Sequence, residues 1–188
     1  MPRIGLDRGS LLAAAAELAD ERGFEALALN TLAQKLGVRS PSLYNHVSGL
    51  PELRRLLAVR ALERLAETLE AAVSGAEEDA ALAFSLAYLA FARAHPGQYE
   101  AIQRAPEPDE ADLQAAAGRL VRLMVRSLSG YGLTDDEAIH AVRGIRSLLH
   151  GFVSLERLGA FGMPQDRDAS FRFMLEAYVR GLRPGGRD

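Results

Sequence analysis

Leu29-Asn30-Thr31-Leu32-Ala33-Gln34-Lys35-Leu36-Gly37-Val38-Arg39-Ser40-Pro41-Ser42-Leu43-Tyr44-Asn45-His46-Val47 is the stretch that decides the fold. Leu29, Leu32, Ala33 and Leu36 recur at three- and four-residue spacing, which predicts a short helix with one apolar face. Gly37 ends it, because glycine enters the left-handed turn after a helix without a Cβ penalty. Val38 turns inward. Ser40-Pro41 then opens a second short helix, where proline is tolerated because a first-turn N–H has no helical partner. Two short helices joined at a glycine bend, held at a fixed angle by Leu32, Leu36, Val38 and Leu43, form the arrangement that reads DNA. The first helix crosses the backbone and the second enters the major groove. Outside its apolar side the second helix carries Arg39, Ser40, Ser42, Tyr44, Asn45 and His46. Hydroxyls, a phenol and an imidazole suit phosphate oxygens, while Asn and Arg suit base edges. The same spacing also describes a helical hairpin used only for packing, so spacing alone leaves both readings open.

Toward the amino terminus, Asp7 caps a helix on which Leu11, Ala15, Leu18 and Arg22 recur. Gly23 stops that helix in a left-handed turn and Phe24 plugs back into the core. Toward the carboxy terminus, Gly49 and Pro51 reset the chain into a long helix to about Val73. Glu78 or Asp79 starts a helix to His95, which does no more than end it before the Pro96-Gly97 break. A short helix covers about 98–104, Asp109 caps one to about Ser129, and Thr134 and Glu137 form a capping box for one to about Leu158. A last helix runs from about Asp168 to Leu182. The expected fold is all-α with about nine helices. Residues 1–50 form a three-helix helix-turn-helix DNA-binding head, and residues 51–188 a helical-bundle domain for ligand binding and dimerisation.

Composition agrees. The chain has 32 Ala and 30 Leu against 9 Val, 4 Ile and 3 Thr, a balance that favours helix over strand. It has no Cys, which excludes disulfides, thiolate nucleophiles and cysteine zinc sites. Residues 1–60 carry eight basic and six acidic side chains and the remainder 14 and 19, a slightly basic start on an acidic body. No apolar run has the length of a signal peptide core or a membrane span, so the expected location is the cytoplasm. There is no Gly-rich phosphate loop, paired-histidine helix or nucleophile motif, so no enzyme, metal or cofactor is expected.

The stretch Leu32 to Val47 resembles the signature of TetR/AcrR-type one-component regulators, with Gly37-Val38 at the turn and Leu43-Tyr44-Asn45-His46 at the end of the recognition helix. Glu21-Arg22-Gly23-Phe24 is similar to the end of the family's first helix. The resemblance implies a dimer on a palindromic operator, usually a repressor, released when a small ligand enters the carboxy-terminal domain. By the same resemblance Ser42, Tyr44 and His46 contact phosphates. Arg39, Ser40, Pro41 and Asn45 face base edges or nearby backbone, and Thr31 is a further backbone contact. Three positions depart from the family: Ala28 where a hydroxyl usually caps the first reading helix, Val47 where Phe is usual, and Leu50 where a phosphate-gripping Lys usually sits. Arg54 or Arg55 would compensate for the last. Arg146 to Glu156 resembles the segment of a subgroup named for a Trp-His-Gly tripeptide, with Leu149 in place of Trp before His150-Gly151. The alternative, resting on Leu50 and the low charge of the head, is a helical sensor or interaction module with lost or weak DNA binding.

Two sites are expected in the body. Phe84, Tyr88 and Phe91 at helical spacing, with Tyr99, Leu123, Met124 and His150, would line an apolar effector cavity; the alternative for each is plain core. The helix from Thr134 is apolar on more than one side, as is the last helix, so one face needs a partner. A two-fold four-helix interface through Leu149, Phe152, Val153, Phe171, Leu175 and Tyr178 would supply it, with a monomer as the alternative.

Overall fold

Helix boundaries follow from local chemistry. In the computed structural model, which describes residues 6–76 and 79–183, Asp7 accepts from the Ser10 amide at 2.7 Å and Ser10 Oγ accepts from the Asp7 amide, a reciprocal cap for helix α1 (Arg8–Arg22). Ala28 offers no side-chain cap to α2 (Leu29–Leu36), which Gly37 closes in the left-handed conformation at φ 67°. A six-residue 3₁₀ helix (Ser40–Asn45) follows, then α3 (Leu50–Ser74), α4 (Ala80–Ala94), α5 (Pro96–Ala101), α6 (Ala111–Ser127) and a 3₁₀ turn (Ser129–Tyr131). The expected Thr134/Glu137 box starts α7 (Asp135–Arg157), and Asp166 caps α8 (Arg167–Leu182). Every regular element among the described residues is helical.

Three local details differ from expectation. The recognition segment is a 3₁₀ helix; Pro41 lacks an N–H and six residues offer few i→i−4 bonds, so tighter ones such as His46 N to Leu43 O (2.9 Å) take over. Gly23 has φ 91° and ψ 150°, a mirror-image extended conformation rather than a left-handed turn. Helix α5 starts at Pro96, because the expected break is capped from another helix.

That cap is Asp20 of α1. Its Oδ1 accepts from the amides of Gly97 (2.9 Å) and Gln98 (3.0 Å), the first free N–H groups of α5. Its Oδ2 accepts from Gln98 Nε2 at 2.6 Å and lies 3.2 Å from His95 Nδ1, so His95 has a partner and does more than end its helix. Gly97 permits the approach: a Cβ there would sit 2.0 Å from the Ala19 carbonyl oxygen. The Phe24 amide adds a bond to Glu100 Oε2 at 3.4 Å.

The chain divides into two compact units, Met1–Arg64 with Ala94–Ala117, and Leu65–Arg93 with Gly118–Asp188. The first is centred on Leu11, Leu18, Leu32, Leu43, Leu53 and Tyr99, each at most 2% exposed. In the second, α7 and α8 pack through Phe152 and Phe171, whose rings meet edge-on at 5.0 Å. Tyr178 lies over Gly144, where a Cβ would meet its hydroxyl at 1.9 Å. Arg93 forks onto Glu156 (2.7 and 2.8 Å) and reaches Asp168 (2.7 Å), which holds its pKa above the ordinary guanidinium value.

Gly97→Ala is expected to destabilise the protein by about 2–3 kcal/mol, since backbone and not a flexible side chain must move. Asp20→Ala is expected to cost about 2 kcal/mol through the lost cap and the unpaired buried donors. Urea unfolding followed by circular dichroism measures both.

Candidate nucleic-acid interface

The reading segment is anchored from inside and open outside. Leu43 is fully buried and Val47 is 2% exposed, so Val47 does the anchoring that the usual Phe would do. Between them Tyr44 stands 59% exposed, an aromatic that no core contact explains. Arg39, Pro41 and Asn45 are exposed on the same segment, while Ser40, Ser42 and His46 are half-buried, as is Thr31 on α2. The structure thus brings the expected DNA-facing residues onto one short segment and the helix before it.

Ser40 Oγ donates to Asn30 Oδ1 at 2.8 Å. This commits the carbonyl oxygen of Asn30 and leaves its exposed amide as a donor for phosphate or for a purine acceptor. The sequence reading did not single out Asn30. The signal is a side-chain bond across ten residues, which no helical periodicity displays.

Cations around the segment are mostly engaged. Lys35 bonds Glu21 at 2.8 Å and pairs with Glu17 at 3.3 Å, which raises its pKa. Arg54 donates to the Glu25 carbonyl (3.0 Å), pairs with the Glu25 carboxylate (3.1 Å) and lies 5.2 Å from the centre of the Phe24 ring. Arg55 is paired with Asp112 and with Glu52. Neither arginine is therefore placed to replace the lysine missing at Leu50 at no cost to the fold. Arg39 has no ion-pair partner among the described residues.

The residues expected at an effector cavity divide. Phe84, Tyr88, Phe91, Leu123 and Met124 are each at most 5% exposed inside the second unit, and Phe84 stacks on Tyr88 at 6.3 Å. Tyr99 is buried in the first unit, and His150 is exposed. Of the residues expected at a dimer interface, Leu149, Phe152, Val153, Phe171 and Leu175 are at most 6% exposed within the single chain and belong to its core. Tyr178 is half-buried, its hydroxyl donating to the Ala141 carbonyl at 3.4 Å and its pKa raised by burial.

Residues 11–48 match the family described as bacterial regulatory proteins, tetR family. Residues 81–178 match the tetracyclin repressor-like C-terminal domain. An uncharacterized HTH-type transcriptional regulator of Bacillus subtilis (strain 168), YobS, is 38% identical over 96% of this chain and 95% of its own length. The chain belongs to the TetR family of transcriptional regulators. Its fold is shared with a protein of unknown function from Rhodococcus sp. RHA1, at TM-score 0.83 and 25% identity, covering 98% of this chain and 100% of that one. A TetR variant from Acinetobacter baumannii AYE, solved in complex with minocycline, superposes at TM-score 0.69 with 26% identity, covering 94% and 96%. This TetR-family chain is therefore a DNA-binding regulator with a ligand-binding-type second domain, and not an enzyme. No described helix is long and apolar enough to cross a membrane.

For this regulator Arg39→Ala is expected to flatten the plot of log K against log salt by about one unit, and Leu50→Lys to steepen it by about one. Fluorescence anisotropy with labelled DNA from its own promoter, over a salt series, reads both slopes.

Proposed function

We propose that the chain is a repressor that binds a palindromic operator as a homodimer in the cytoplasm and leaves it when a small-molecule effector occupies the second unit. The observation that carries the DNA part is the reading segment: Tyr44 projects from a locked 3₁₀ helix, flanked by Arg39, Asn45 and Asn30. Thr31, Ser40, Pro41, Ser42 and His46 complete the proposed contact set. A single recognition segment buries little surface, and two of them about 34 Å apart would read successive major grooves.

The surface of α7 and α8 supports the dimer. Phe173 is 76% exposed, Leu158 81% and Leu155 46%. Phe173 and Ala177 lie one turn apart, and Ser147, Gly151 and Leu155 form a second row at the same spacing. Large apolar side chains beside small ones, on two helices that already pack together, form a surface suited to a two-fold partner. These outward residues take the place of the buried set named from sequence. The effector part rests on the repressor-like C-terminal domain and on the minocycline-bound neighbour, with Phe84, Tyr88, Phe91, Leu123 and Met124 as the apolar residues that an effector would have to part.

A second reading, a sensor module with weak DNA binding, draws on the neutralised cations Lys35, Arg54 and Arg55. Gel shifts on the chain's own promoter separate the two. Tyr44→Ala should weaken binding at least about tenfold, the equivalent of about 1.4 kcal/mol. Equal shifts for both proteins, or none, would support the module. Phe173→Glu should convert a dimer to a monomer in sedimentation and weaken operator binding with it; an unchanged sedimentation profile removes the proposed interface.

A further inference from the structure

Between the end of α7 and the start of α8 the chain makes a loop around a cleft of about 280 Å³. Its walls are Phe152, Phe161 and Met163, and its polar rim is Gln165, Arg167 and Ser170. Phe161 meets Phe152 with ring centroids 4.8 Å apart and planes tilted by 37°. Phe152 is 6% exposed and packs on Phe171, so one wall is fixed to the core of the unit. Met163, 75% exposed, forms an unbranched, polarisable lip that suits an aromatic guest. A cavity of about 150 Å³ is enough for benzene, so this cleft has room for one or two fused rings.

The rim sets the sign of the guest. Arg167 is exposed and has no ion-pair partner among the described residues. The two carboxylates next to it in sequence are already occupied: Asp166 caps α8 by accepting from the Ala169 amide at 2.7 Å, and Asp168 lies 2.7 Å from Arg93. Ser170 donates its hydroxyl to the Asp166 carbonyl at 2.9 Å, which leaves Arg167 and the Gln165 amide as the donors of the rim. Aromatic side chains and an arginine without an ion-pair partner, lining one cleft at the first turn of a helix, favour an apolar body carrying one negative charge.

We propose that this cleft binds small aromatic monocarboxylates. Phe84, Tyr88 and Phe91 are not among the residues lining the cleft, and the proposal does not rest on the operator reading: binding is measured on the purified full chain without DNA. Indole-3-acetate is the probe. The chain has no Trp, so indole fluorescence belongs to the probe alone. Its anisotropy should rise saturably with protein. Because a solvent-exposed ion pair contributes at most about 1 kcal/mol, Arg167→Gln should raise the dissociation constant about fivefold. The uncharged indole-3-ethanol should bind wild type and Arg167→Gln alike, and Phe161→Ala should weaken both probes. Arg167 is exposed and unpaired, so its replacement leaves the fold intact, and Arg167→Lys should restore most of the difference. The proposal is overturned if no saturable binding occurs, if Arg167→Gln changes the indole-3-acetate constant by less than about twofold, or if binding appears only on dilution to monomer, which would show a second copy of the chain in the cleft.

Discussion

The reading head depends on one carboxylate. Asp20 sits near the end of α1 and takes donors from residues up to 78 positions away: two amides, one carboxamide and one imidazole nitrogen. Helix α5 has six residues, too few to form without help, and its first free N–H groups would otherwise be buried unsatisfied. Asp20 solves that problem from outside, and Gly97 lets the two backbones meet closely enough for it to do so. The consequence reaches the DNA surface. Once α5 is fixed to α1, residues 94–117 belong to the same compact unit as the recognition segment, and the first turn of α6 presents Asp112 to Arg55.

The same unit holds several of its cations in internal pairs. Lys35, Arg54 and Arg55 are each matched by at least one carboxylate, and Arg8 lies 3.9 Å from Glu52. Each pair is solvent-exposed and contributes little stability, so its larger effect is on the field the head presents. A phosphate must compete with a carboxylate for each of these groups. In the proposed operator complex, shape and hydrogen bonding at Asn30, Arg39, Tyr44 and Asn45 would then carry relatively more of the recognition than bulk charge does.

Much of this was legible in the sequence, and the reasons are local. Asp7, Gly37, Thr134 and Glu137 act on neighbours within a few residues, and their roles follow from spacing alone. The anchoring of Leu43 and the exposure of Tyr44 follow from helical periodicity in the same way. What escaped were bonds between distant residues. Nothing around Asp20 shows that it caps a helix starting at Pro96, and nothing around Pro96-Gly97 shows that a cap is waiting, so the pair read as a break. The link between Ser40 and Asn30 escaped for the same reason, and with it a donor beside the proposed contact set.

The burial of the residues expected at an interface has a different cause. Periodicity counts the apolar faces of a helix without saying which partner each one meets. On α7 the larger residues Leu149, Phe152 and Val153 point to the protomer's own core. The face left outside mixes Ser147, Gly151 and Leu155, which reads as weakly apolar because small residues score low. Small residues are what a close helix–helix contact requires, since they let two backbones approach and would leave room for a large side chain such as Phe173 in the proposed dimer. The strongest apolar signal in a chain of this kind therefore marks the core of one protomer. A second copy is better sought on the weaker face, where an isolated large residue stands among small ones.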